Sequence, residues 1–101
     1  MGWATSYITQ LKEGRTVSFR PRGHSMSGKI ESGQLCTVAP IDDFGALAKG
    51  DIVLCKVNGN EYLHLIKAIQ GQRYQIGNNR GRINGWVGTN SILGKLEKVE
   101  D

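Results

Sequence analysis

Gly50-Asp51-Ile52-Val53-Leu54-Cys55-Lys56-Val57-Asn58-Gly59-Asn60-Glu61-Tyr62-Leu63-His64-Leu65-Ile66-Lys67-Ala68-Ile69-Gln70 reads as two extended runs joined by a tight turn. Asn58-Gly59-Asn60 supplies the turn, because Asn-Gly tolerates the positive φ that two-residue hairpin loops require. The outgoing strand is predicted over Ile52 to Val57 and the returning one over Glu61 to Gln70. Successive side chains of a strand point to opposite faces. One face of the returning strand carries Leu63, Leu65, Lys67 and Ile69, and the other Tyr62, His64, Ile66 and Ala68. Both are substantially apolar, which predicts a central strand covered on both sides.

Before this hairpin, Trp3 to Lys12 reads as a short helix. Trp3, Tyr7 or Ile8, and Leu11 lie near one face, and Gly14 is the stop. A helix this short must dock on something, and Trp3 and Leu11 are the expected contacts. Strands follow at Thr16 to Arg20 and Gln34 to Val38, separated by the glycine-flanked turn Arg20-Pro21-Arg22-Gly23-His24-Ser25-Met26-Ser27-Gly28-Lys29-Ile30. Pro40 to Lys49 is a loop. After the hairpin, Gly71-Gln72 turns the chain into a strand at Arg73 to Ile76. Gly77 to Gly85 is expected to be a polar loop, Trp86-Val87 re-enters the body, and Ser91 to Val99 is the last strand, interrupted by Gly94. Many short strands with glycine-rich turns on 101 residues imply one mainly β domain over residues 1–101. Its form is a small coiled sheet or partly open β-barrel, with the helix at about 3–12 and the β body at about 16–99.

Apolar residues make up 39% and charged residues 22%, the composition of a globular chain rather than a disordered one. No apolar run approaches the roughly 20 residues that span a bilayer, so no membrane anchor is expected. The first residues lack a basic segment followed by an apolar one, which predicts a cytoplasmic location. Cys36 and Cys55 stand in apolar strands, with no Cys-x-x-Cys and no paired histidine spacing. They are expected to be buried and reduced, with no metal site and no cofactor. The net charge of +4 suits an anionic partner or simply a solvated surface.

The order of short boxes is more specific than any one of them. Gly23-His24-Ser25-Met26 is followed by Ser32-Gly33-Gln34-Leu35, then Lys49-Gly50-Asp51-Ile52-Val53, then Tyr62-Leu63-His64-Leu65-Ile66. Gly77-Asn78-Asn79-Arg80 and Ile92-Leu93-Gly94-Lys95 close the series. From about Val17 to Val99 this resembles the serine peptidase superfamily of the type I signal peptidases and the LexA/UmuD self-cleaving proteins. The resemblance implies that fold, a prokaryotic or phage origin, and a peptide or protein substrate. It also implies a nucleophile at Ser25 and a general base at His64, the position that holds lysine or histidine in the family. The chemistry would be acyl transfer through Ser25 Oγ, with the Ser25 N–H as an oxyanion donor. The chain departs from the family at three supporting positions. Gly28 replaces the usual proline, Leu65 replaces a basic residue, and Asn78 replaces an acidic one, so a carboxylate that could orient His64 is missing there. The usual Ala-Gly or Cys-Gly self-cleavage dipeptide is absent. A soluble peptidase-like domain with a minimal Ser25–His64 dyad and an inactive, decayed one both remain open.

Three other side chains near these boxes could take part. Lys67 falls on the strand face opposite His64, Lys29 follows Ser25 by four residues, and His24 adjoins Ser25 but should point away. A non-catalytic binding module is the alternative. The segment containing Asn78, Asn79, Arg80, Arg82 and Trp86 combines amides, guanidinium groups and an aromatic ring, a set that can contact nucleic acid or a protein partner. Pairing of exposed strands into a homodimer is a further expectation of such small β domains.

Overall fold

The computed structural model describes residues 2–101. It contains one α-helix, α1 (Thr5–Lys12), and seven strands: β1 (Val17–Phe19), β2 (Leu35–Ala39), β3 (Ile52–Val57), β4 (Asn60–Gln70), β5 (Arg73–Gly77), β6 (Ile83–Gly88) and β7 (Ile92–Glu100). The strands form one sheet in the order β1-β2-β7-β3-β4-β5-β6, with every neighbouring pair antiparallel. The chain is therefore mainly β, as its turn spacing predicts. The edge strands β1 and β6 do not pair with each other, so the sheet stays open. It nevertheless curls. A Cβ placed on Gly85 of β6 would lie 3.3 Å from Val57 Cγ1 of β3, although two strands stand between them in the sheet.

The β3–β4 hairpin is the centre of this sheet. Asn58 and Gly59 have φ of 51° and 82°, the left-handed pair that the Asn-Gly turn predicts. The two faces of the hairpin feed two separate clusters of buried side chains. Leu54, Leu63 and Leu65 pack with Ala4, Ile8 and Leu11 from the α1 segment and with Met26 and Ile30 from the loop after β1. Val53, Cys55, Val57 and Ile66 pack on the other face with Tyr74, Ile76, Val87 and Ile92. The two-sided apolar pattern of β4 thus reflects burial on both faces. Cys36 and Cys55 are buried and free. Burial in apolar surroundings pushes the Cys55 thiol up to about 12.

Three sequence expectations need correction. Trp3 lies before the helix and is 50% exposed, so α1 docks through Ala4, Ile8 and Leu11 rather than through Trp3. The segment from Gly77 to Gly85 is not wholly loop, because β6 begins at Ile83. Its non-alternating sequence Ile-Asn-Gly-Trp hides a strand that bulges where it pairs with β5. Finally, Gly94 does not interrupt the last strand, which runs from Ile92 to Glu100. A Cβ there would come within 2.7 Å of Val38 Cγ1 and 3.0 Å of Leu11 Cδ1, so this glycine lets α1 settle onto the sheet.

Among the described residues, no helix is long and apolar enough to cross a membrane.

Candidate active site

β5 joins β4 only from Leu65 onward, so residues 60–64 of β4 have β3 on one side and no strand on the other. The loop from Arg20 to Gly33 rises beside this open edge. Between the two lies a cleft of about 390 Å³, with Met26 and Ile30 from the loop and Leu63, Tyr62 and His64 from β4 in its wall. Arg20 and Arg22 line it on the loop side.

Ser25 and His64 meet in this cleft. They are 39 residues apart in sequence, yet His64 Nε2 lies 3.3 Å from Ser25 Oγ. The other ring nitrogen, Nδ1, lies 2.7 Å from Asn84 Oδ1. An amide oxygen only accepts, so with the amide assigned this way Nδ1 carries the ring proton. Nε2 is then the bare nitrogen and accepts the Ser25 hydroxyl proton. This is the tautomer a general base requires. Tyr62, on the same strand face, stacks on the imidazole with centroids 4.8 Å apart and fixes its plane. His64 itself is buried while Ser25 is exposed. Its pKa is pulled below the ordinary 6.5, first by burial and secondarily by the charge of Arg82, against an opposing contribution from the Asn84 hydrogen bond. The neutral ring therefore persists below the pH at which a free histidine would protonate.

The Ser25 turn is held from behind by the segment after β5. The Asn79 N–H donates to the Ser25 carbonyl at 3.0 Å. The Asn79 Nδ2 donates to the Ser27 carbonyl at 2.7 Å. Asn78 is buried, and its Oδ1 accepts the N–H groups of both Arg80 and Arg82 at 2.9 Å. These two amides shape the loop that carries Arg82 on to Asn84. Among the described residues, no protein group accepts the Ser25 N–H, so it is free to donate to an incoming oxygen.

Asn84 is the site residue that the sequence did not single out. Asn78, the position expected to lack an orienting carboxylate, does not reach His64, and the group that does stands six residues later on β6. A strand-forming role for Ile83 to Gly88 would have placed Asn84 beside the hairpin, but the bulge hides that alternation. Gly28 and Leu65 each have a structural reason for their identity. Gly28 has φ of +97°, a conformation closed to proline. Leu65 is buried in the cluster beneath α1, where an unpaired cation would be costly.

Lys67 is not part of the cleft wall. The stem of Lys67 lies over Gly77 of β5, since a Cβ on that glycine would stand 3.1 Å from both its Cγ and its Cε. Asp51 accepts the Ala48 N–H at 2.9 Å and pairs with Lys95 at 3.5 Å, the role of a turn acceptor. In the alternative binding segment, Arg80 and Arg82 are exposed and Trp86 is 39% exposed on edge strand β6, whereas Asn78 is buried and its oxygen is already engaged. Among the described residues, no group of three or more histidine, cysteine, aspartate or glutamate side chains could hold a metal ion. No protein-family model matches the chain, and no curated protein matches its sequence.

Proposed function

We propose that the protein is a serine hydrolase of the signal peptidase/LexA-UmuD-like superfamily that acts on extended peptides, with Ser25 as nucleophile, His64 as general base and Asn84 as the residue that orients the base. The observation that carries this reading is the continuous contact from Asn84 Oδ1 through the imidazole to Ser25 Oγ, at 2.7 and 3.3 Å. A serine on a surface turn has no need of a buried histidine held in the one tautomer able to take its proton.

In the acylation step Nε2 removes the hydroxyl proton as Oγ attacks the peptide carbonyl. The Ser25 N–H donates to the oxygen on which negative charge develops. The imidazolium then gives its proton to the amine nitrogen, the C–N bond breaks, and an ester remains on Ser25. Water adds to that ester while Nε2 takes its proton. The carboxylic product leaves, and the proton returns to Oγ. Asn84 supplies orientation but no negative charge, so the imidazolium is less stabilised than beside a carboxylate.

The open edge of β4 supports a peptide as substrate. The Ile66 N–H donates to the Asp51 carbonyl, and the Ile66 carbonyl accepts from the Gly50 N–H, both at 2.8 Å. Ile66 therefore turns its backbone groups towards β3, and by strand alternation His64 and Tyr62 do the same. Leu65 faces β5, where it is opposite Gly77. Glu61 and Leu63 face the cleft. The Leu63 N–H and carbonyl have no backbone partner there among the described residues. They are the groups an added peptide strand would use.

The test is hydrolysis of a library of fluorogenic peptides by the wild-type chain, Ser25→Ala and His64→Ala. Wild-type turnover that falls by about 10²–10⁴-fold in His64→Ala, and to the uncatalysed level in Ser25→Ala, is expected. Turnover that is equal in wild type and Ser25→Ala excludes this nucleophile.

A further inference from the structure

The open edge of β4 is not free along its whole length. Glu61 and Leu63 both turn their backbone groups into the cleft, but the Glu61 carbonyl is already occupied. The indole Nε1–H of Trp3 donates to it at 3.0 Å. The indole is held in place from two further sides. Its ring meets Phe19 edge-on, with centroids 5.5 Å apart. The chain on its C-terminal side is tied to the Glu61 carboxylate, which accepts the Ala4 N–H at 2.6 Å and the Thr5 hydroxyl at 3.0 Å. Trp3 also forms part of the cleft wall and is half exposed. A half-exposed tryptophan held in this way is not explained by core packing.

We propose that Trp3 is the end-stop of the cleft. It takes the last acceptor of the β4 edge and blocks an extended ligand from continuing past Leu63. This inference rests on the reading of the cleft as a peptide site. From Glu61 to His64 the strand advances about 3.3 Å per residue, so the space between the indole and the Ser25–His64 pair spans about three residues. Leu63 is the one residue in it whose backbone pair is free. The site therefore recognises about three ligand residues on the Glu61 side of Ser25, and further residues on that side add no affinity. The chain carries its own limit on substrate length at the base of α1.

The test uses Ser25→Ala to prevent turnover and blocked peptides of two, four, six and eight residues alternating leucine and threonine. That alternation presents one apolar face to the Met26 and Ile30 side of the cleft. Calorimetry reads affinity in the Trp3 background and in Trp3→Ala and Trp3→Phe. Trp3→Phe retains a ring against Phe19 but lacks the N–H, so it tests the end-stop even if Trp3→Ala fails to fold. With Trp3 present, affinity rises with length and then levels off. In the variants it continues to rise, by about three- to tenfold, the worth of one net hydrogen bond, for the next residue pair. The same levelling-off in folded Trp3→Phe as in the Trp3 background, or no peptide binding in any background, overturns the proposal. Covalent labelling of wild-type Ser25 by a fluorophosphonate is read separately. Length-limited binding without labelling would refute the hydrolase and leave the end-stop standing. Labelling without any length limit would do the reverse.

Discussion

The two halves of β4 belong to one strand and have different neighbours. From Leu65 to Gln70 it pairs with β5, while its ladder with β3 ends at Leu65 and only Ile66 reaches on to Gly50 and Asp51. From Asn60 to His64 it has β3 on one side and the cleft on the other. The half paired with β5 serves the core through Ile66, which is 1% exposed. The half-open stretch leaves backbone groups for something outside the chain and carries His64, Tyr62 and Glu61. A sheet edge is usually a liability that invites unwanted pairing. Here it is narrow, walled by the loop from Arg20 to Gly33 and stopped by Trp3, so the liability is confined to a few residues beside Ser25.

Substitutions in the two halves should separate stability from reactivity. Ile66→Ala empties a fully buried position and should cost about 2–5 kcal/mol in urea unfolding, while the folded fraction retains its reactivity at Ser25. Loss of reactivity without loss of stability would break the comparison. Glu61→Ala removes the carboxylate that holds the start of α1 and leaves the Ala4 N–H unsatisfied. The expected loss is about 1–3 kcal/mol, with hydrogen exchange accelerated first at the amides of the α1 segment. Protection unchanged there would mean that the carboxylate does not anchor the segment.

Much of this organisation was legible in the sequence. The Asn58-Gly59 turn fixes the hairpin, and the apolar pattern on both faces of β4 marks it as central. The ordered boxes point to Ser25 and His64, which the fold brings within 3.3 Å. Two site residues were not legible, for physical reasons. Asn84 sits on a bulged edge strand whose glycines and exposed Trp86 break the alternation by which strands are recognised. Trp3 looks like a helix-docking residue at helical spacing, yet the helix begins at Thr5 and the indole leaves to meet a β4 carbonyl. In both cases a polar contact across the sheet overrides a local pattern, and no window of sequence contains both partners.

The central claim is that Ser25 is activated by a neutral His64 oriented by Asn84. The most direct measurement is the rate of fluorophosphonate labelling at Ser25 as a function of pH, with the adduct located by mass spectrometry. His64 must be unprotonated to act as a base, and burial lowers its pKa. Labelling should therefore rise with pH through a single midpoint below 6.5. Asn84→Asp places a negative charge beside the ring, which favours the imidazolium, and should move that midpoint upward. A Ser25 labelling rate that keeps the same pH profile in His64→Ala, or an adduct found on a residue other than Ser25, would contradict the account.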